Sequence, residues 1–297
     1  MARVLLIFNP VAARTDPEVV TAVTRVFAGE GWHVDVAGTS QAGHAADLAR
    51  RGVDDGMDLV AVYGGDGTTM QAVRGIVGRG VPVALIPGGT GNVLAGNLRL
   101  PRRPADAARV AVRGVTRRID LGRVRRSHGE RYFAVSCGAG FDAELMAGTT
   151  GELKRRWGMG AYFANAWSAL RELTVVAHRV TVDGEPFESD AAMVLVANCG
   201  EIFPPWARLK PGIAPDDGYL DVIIANAAGL MESVDVVMRL LAAWEGEGER
   251  VRFLRGTHVI VETGEPRPVQ LDGEPDGETP LEAEIVPGAL DVVVTGG

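Results

Sequence analysis

The chain has 297 residues, with 38 acids against 30 bases, five His, two Cys and 46% apolar residues, which describes an ordinary globular protein with a sizeable core. Two cysteines exclude a disulfide framework, no run of eighteen uncharged apolar residues occurs, and the start MARVLLIFNP lacks a signal peptide's cleavage region, so neither spanning nor secretion is expected. The formal charge of −8 is unevenly placed, with 14 Arg and 11 acids in residues 1–120 and 16 Lys plus Arg against 27 acids in residues 121–297; the mildly basic first part suits an anionic ligand, and the acidic second part argues against wrapping nucleic acid.

In chain order, residues 3–8 form an apolar run fit for a buried strand, and Asp16-Pro17-Glu18 marks a helix start whose apolar face carries Val19, Val20, Val23, Val26 and Phe27. The scheme repeats: 32–36 as strand, 43–51 as helix, 57–63 as strand, 68–77 as helix and 81–86 as strand. This alternation predicts a largely parallel α/β first domain over residues 1–120. Ten arginines between residues 99 and 126 read as a solvated helix face and loop, with anionic lipid headgroups as the alternative.

Beyond residue 120 the pattern changes to strands at 132–137, 175–182, 191–197, 220–225, 251–254, 258–261 and 269–271, with a final pair at 283–286 and 290–294. Asp183-Gly184 is a hairpin signal. Helical stretches are expected at 154–173 and 230–244. Residues 121–297 therefore read as a β-rich, sandwich-like second domain. Cys137 and Cys199 belong to no metal-ligand spacing and read as buried thiols, and the five histidines are too scattered to form a metal site.

The most informative segment is Gly64-Gly65-Asp66-Gly67-Thr68, between an apolar strand and a helix start. Its glycines let main-chain amides approach a ligand, and a helix N-terminus favours phosphate. An acid among such amides makes sense only if it bonds a ribose, takes a proton or holds a divalent cation, so a magnesium nucleotide is the economical ligand. A second loop, Pro87-Gly88-Gly89-Thr90-Gly91-Asn92, follows the next strand and belongs on the same rim of a parallel sheet. The first strand ends in Asn9-Pro10, with Arg14 placed to clamp phosphate.

Together with Ile119-Asp120-Leu121-Gly122, GAGFDA at 138–143, APDDGYLDV at 214–222 and QLDGEP at 270–275, these motifs resemble the diacylglycerol kinase catalytic-domain superfamily, the soluble bacterial lipid kinases related to sphingosine and ceramide kinases. The resemblance implies an NAD kinase/diacylglycerol kinase-like nucleotide domain followed by a β-sandwich-like domain. It further implies that ATP contacts Asn9, Arg14, Gly64, Gly65, Gly67, Thr68, Gly88, Gly89, Thr90 and Asn92, with Asp66 in a magnesium network. A structural magnesium is implied at Asp217, with main-chain oxygens such as those of Ala214 and Tyr219 and with Asp216 as a helper. The family's Asp-Gly-Glu maps the general base and its supporting acid onto Asp272 and Glu274; the hairpin-prone sequence around them offers an exposed turn as the bland alternative.

Two positions depart from the family pattern. Val93 stands where many members carry an Asp, and Ala12-Ala13-Arg14 replaces the frequent Ser-Gly-Lys. On the lipid side, Lys154 to Arg156 with Trp157, Met159, Tyr162, Phe163, Trp167 and Leu170 suggests an amphipathic helix, read mainly as core, and 202–206 a second apolar loop. The expected function is an ATP- and magnesium-dependent kinase for a lipid hydroxyl, diacylglycerol first. It would be cytoplasmic and peripheral to the inner membrane face, with a homodimer as the assembly considered. The alternatives are a kinase for a sphingoid base or another glycerolipid, an NAD kinase, and a catalytically silent nucleotide or lipid sensor.

Overall fold

The computed structural model describes residues 1–11, 16–126, 129–140, 174–203, 207–209, 212–227, 232, 235 and 250–296. The expected helix at 154–173, Arg14, residues 141–143, 204–206 and nearly all of the stretch 230–244 lie outside them. The chain forms two compact units, Met1–Ile119 with Pro287–Gly297, and Asp120–Val286.

The first unit begins with β1 (Arg3–Phe8), α1 (Pro17–Gly29), β2 (His33–Gly38), α2 (His44–Asp54), β3 (Leu59–Gly64), α3 (Asp66–Ile76), β4 (Val83–Pro87), α4 (Val93–Asn97) and α5 (Pro104–Arg113). Asp16 caps α1 by accepting the Glu18 N–H at 2.8 Å, with Pro17 at the first helical position, as the sequence predicts. The strands order as β2-β1-β3-β4, all parallel. Every residue of β3 and β4 is buried, the signature of strands covered on both faces. Val23 and Phe27 of α1 and the alanines 107, 108 and 111 of α5 share one apolar cluster with Val4, Leu6, Leu59 and Ala61. The strand order reverses between β1 and β3, so the ends of β1, β3 and β4 meet at a switch point, where open α/β sheets collect ligands.

The second unit takes in the end of β5 (Val115–Arg126), then β6 (Gly129–Phe133), β7 (Ser136–Gly140), β8 (Val176–Val182), β9 (Glu185–Ala191), β10 (Met193–Ala197), β11 (Glu201–Phe203), β12 (Ala207–Arg208), β13 (Leu220–Ala225), β14 (Val251–Gly256), β15 (His258–Thr263), β16 (Pro268–Leu271), β17 (Glu274–Glu278) and the start of β18 (Leu281–Val294). An antiparallel sheet in the order β14-β13-β10-β7-β16-β17 packs its Cys137, Ala139, Val194, Val196, Val222 and Val269 into one core with Val180, Val259, Val261 and Ala283 of the facing β18-β15-β8 layer. This is the expected sandwich. Asp183-Gly184 makes the expected two-residue hairpin, both residues at positive φ. Cys137 and Cys199 are buried and unbridged.

Three expectations change. The strand drawn over 132–137 is two strands broken at Ala134–Val135, because β7 turns away from β5 to pair with β10 and β16. The final two strands are one, β18. Its last residues depart from the division drawn at residue 120: they return to the first unit because Val292 pairs with Val83 of β4. The arginines from 99 to 118 are largely solvent-facing, Arg109 paired with Asp106 and Arg113 with Glu30. No helix among the described residues is long and apolar enough to cross a membrane.

Candidate active site

The loop after β3 and the loop after β4 touch. A Cβ placed on Gly89 would fall 2.6 Å from the Cα of Gly65, and one on Gly88 2.7 Å from the Tyr63 ring. Several of these glycines are therefore required by loop-on-loop packing, a role that sequence spacing assigned to ligand approach. Gly64, Gly88 and Gly89 are buried, whereas Gly65, Gly67, Thr90 and Gly91 remain accessible and are the positions whose main chain a ligand can reach. Gly65 caps α3 without a side-chain bond, which leaves the amides of an eleven-residue helix start without a local cap. Gly89→Ala is expected to destabilise the fold by about 1–3 kcal/mol through overpacking, a loss that melting curves check.

The polar side chains of the two loops hold them together. Asn92 accepts the Gly89 N–H at 3.0 Å and donates to the Gly89 carbonyl at 2.8 Å. Asn9 donates to the Thr68 hydroxyl at 3.2 Å and accepts the Val11 N–H at 3.1 Å, so the ends of β1 and β3 are linked. Asn9, Thr68 and Asn92 thus shape the rim.

Asp66 is the centre of this arrangement. Its Oδ1 accepts the N–H of Val93 at 2.7 Å and of Leu94 at 3.4 Å, which anchors the start of α4 to the first loop. The residue is partly buried, and its carboxylate bridges the loop after β3 to the residues that follow the second loop. Burial pushes its carboxyl up from the ordinary carboxylate range, against the opposing pull of the Leu94 and Val93 amides. The other oxygen, Oδ2, faces Gly91, where an added Cβ would lie 2.9 Å away; glycine keeps that side open. A carboxylate placed where the two glycine loops meet fits a magnesium ion that arrives with nucleotide phosphates, since magnesium commonly takes one or two protein carboxylates and leaves its other positions to phosphate and water.

The Asp217 turn is different. Asp217 accepts N–H bonds from Ala214 at 3.3 Å and Tyr219 at 3.0 Å and pairs with the guanidinium of Arg255. Arg255 also lies 3.7 Å from Asp221 Oδ2 and stacks over the Tyr219 ring at 4.8 Å. The carboxylate of Asp217 is thus held by two main-chain amides and by the guanidinium of Arg255. The second acid that matters here is Asp120, quoted in the sequence motif but given no role there, which is buried and accepts the Gly218 N–H at 2.8 Å.

Asp272 and Gly273 occupy the two positions of a tight hairpin between β16 and β17, at φ 49° and 81°, so the backbone takes the turn that was the bland reading. The side chain is not solvated in the manner of an ordinary turn. Its Oδ2 accepts the Ala134 N–H at 2.8 Å, and its Oδ1 accepts those of Val135 at 2.8 Å and Ser136 at 3.0 Å. Three successive amides at the β6–β7 break form an anion nest around it. Glu274 follows at the start of β17, half-buried. That strand is fixed farther along by Asp276, whose side chain is 2% exposed between Arg126 at 2.9 Å and Arg131 at 3.3 Å.

Comparison with known proteins agrees with this architecture. The diacylglycerol kinase catalytic domain family matches residues 3–124, and the YegS C-terminal NAD kinase beta sandwich-like domain matches residues 135–294. The chain is 28% identical to the diacylglycerol kinase of Bacillus subtilis (strain 168) over 286 residues, covering 95% of this chain and 93% of the relative. It is 30% identical to the "Probable lipid kinase YegS-like" of Chromohalobacter salexigens over 303 residues, covering 98% and 93%. A crystal structure of a diacylglycerol kinase from Bacillus anthracis str. Sterne matches with a TM-score of 0.77 at 21% identity, over 99% of this chain and 97% of that one, a likeness of fold. The two domain matches, in this order and over nearly the whole length, place the chain in the diacylglycerol kinase catalytic-domain superfamily, among its lipid-kinase phosphotransferases.

Proposed function

We propose that the chain transfers the γ-phosphoryl group of ATP to the free hydroxyl of a lipid, with diacylglycerol as the first substrate and phosphatidic acid as product. The observation that carries this reading is that each unit holds a carboxylate fixed by main-chain amides: Asp66 where the two glycine loops of the first unit meet, and Asp272 on a tight hairpin of the second. The first belongs to nucleotide binding and the second to the acceptor alcohol.

The accessible amides of Gly65, Gly67, Thr90 and Gly91 hold phosphate oxygens, aided by the uncapped start of α3. Magnesium, when bound, neutralises phosphate charge, with Asp66 as its protein ligand. Asp272, fixed by the Ala134, Val135 and Ser136 amides, accepts the proton of the lipid hydroxyl. Phosphoryl transfer through a loose transition state depends more on position and charge than on a strong base, so an ordinary Asp suffices once it is fixed. Glu274 supports that acid from the start of β17. The lipid is met at a membrane surface, without a span among the described helices.

The test is transfer of labelled γ-phosphate from magnesium-ATP to a panel of diacylglycerol, monoacylglycerol, ceramide and sphingoid base in mixed micelles, with NAD as a soluble control. Label in diacylglycerol above the others supports the reading. Label in a different lipid moves the substrate assignment, and label in NAD alone overturns the lipid kinase. ATP binding with no transfer to any of them favours a silent sensor, the alternative that Val93 raises.

A further inference from the structure

A buried amide, Asn198, stands behind the residues that grip Asp272. Asn198 follows β10 and is fully enclosed. Its Nδ2 donates to the Ala134 carbonyl at 2.9 Å and to the Asp120 carbonyl at 3.0 Å, while its own N–H donates to the Val135 carbonyl at 2.8 Å. Cys199 completes the hold, its N–H on the Val135 carbonyl at 3.1 Å and its Sγ on the Ala134 carbonyl at 3.2 Å. The carbonyls of Ala134 and Val135 are thereby drawn toward Asn198 and Cys199. In the bend between β6 and β7 this leaves the N–H groups of Ala134, Val135 and Ser136 for one carboxylate, that of Asp272. The Asp272 N–H closes the loop on the Ser136 carbonyl at 2.8 Å.

A fully buried amide is costly unless it is bonded, and among the described residues Asn198 Oδ1 meets no hydrogen-bond partner, so what the side chain contributes is carried by its Nδ2. An apolar residue of similar size would leave the Ala134 and Asp120 carbonyls without that donor. We propose that Asn198 is a positioning residue: it fixes the amide nest that aims Asp272, and through the Asp120 carbonyl it ties that nest to the 215–218 turn, where Asp120 accepts the Gly218 N–H and donates its own N–H to the Pro215 carbonyl at 2.6 Å. This rests on the reading of Asp272 as proton acceptor. The step itself is unchanged: the hydroxyl proton passes to Asp272 as the new oxygen–phosphorus bond forms and ADP leaves. Asn198 touches neither reactant.

The test combines kinetics with amide hydrogen exchange on the full chain. Asn198→Ala is expected to lower kcat tenfold or more with KM for ATP within twofold of wild type, and to speed exchange at Ala134, Val135 and Ser136 at least tenfold while amides of β3 and β4 keep their protection. In an Asp272→Asn background the same substitution should cost less than twofold further, because the group it positions is already disabled. Asn198→Ser, a milder change, should give intermediate values of both readouts, and it carries the test if the alanine variant does not fold. Unchanged exchange at the three amides, or losses that multiply in the double variant, overturn the proposal. Full turnover by Asp272→Asn overturns the proton-acceptor reading instead, and the exchange data still decide whether Asn198 holds the nest.

Discussion

Asp272→Asn is expected to lower kcat by about a hundredfold to ten-thousandfold, the span that a positioned proton acceptor supplies, with little change in ATP affinity. The prediction has a structural side that must be separated from the chemical one. An Asn at this position can keep an oxygen toward the Val135 and Ser136 amides, but its NH2 group then faces the Ala134 N–H, donor against donor, where Asp272 now accepts at 2.8 Å. That mismatch costs about 1–3 kcal/mol of stability, which melting curves will report and which a protein with an ordinary stability of about 5–15 kcal/mol tolerates. Assays well below the lowered melting temperature then read the chemistry. Glu274→Gln serves as companion: Glu274 lies outside the nest, so its loss should be smaller and should leave the melting temperature nearly unchanged. Full turnover in a folded Asp272→Asn protein would remove Asp272 from the reaction.

Asp66→Asn should separate stability from activity in the opposite direction. The Asn oxygen still accepts from Val93 and Leu94, so the link between the loop after β3 and the start of α4 persists. What disappears is the cost of ionising a buried carboxyl, whose proton affinity is raised by desolvation ahead of the lowering by the Leu94 and Val93 amides. The sign follows from linkage. A carboxyl whose folded-state pKa lies above its unfolded value contributes stability that is fully present below the unfolded value, near 3.9, and is lost as pH rises through the folded value. Wild-type stability relative to Asp66→Asn should therefore fall as pH climbs from the ordinary carboxylate range, and at neutral pH the variant should melt at or above the wild-type temperature. Its turnover should drop by about a hundredfold or more, as for loss of one group placed to hold transition-state charge. A variant that is less stable at pH 7 than at pH 4, relative to wild type, would contradict the burial argument.

The legible parts of this protein are those written in neighbouring residues. Glycine loops that end buried parallel strands, a Pro at the start of α1 and Asp-Gly pairs at hairpins are local instructions, and the sequence predicts them with shifts of one or two residues. The Asp272 turn shows where local reading stops. Its backbone follows from Asp-Gly, but the carboxylate is gripped by amides 136 to 138 positions earlier in the chain, and those amides are aimed by an Asn 64 positions after Ala134. No spacing rule reaches that far. The same holds for Arg255, which comes to Asp217 from 38 residues away and pairs with its carboxylate. The break at Ala134–Val135 was hidden for a related reason: Tyr132 to Cys137 is a nearly continuous apolar run that reads as one strand, and only the different partners of β6 and β7 divide it.

The most direct measurement of the central claim counts ADP formed against phosphatidic acid formed, in mixed micelles of diacylglycerol with magnesium-ATP, for wild type, Asp66→Asn and Asp272→Asn. One ADP per phosphatidic acid in the wild type, with both products lost together in the two variants, is the predicted result. ADP released without lipid product, or nucleotide bound and never consumed under conditions where the protein is folded, would contradict it.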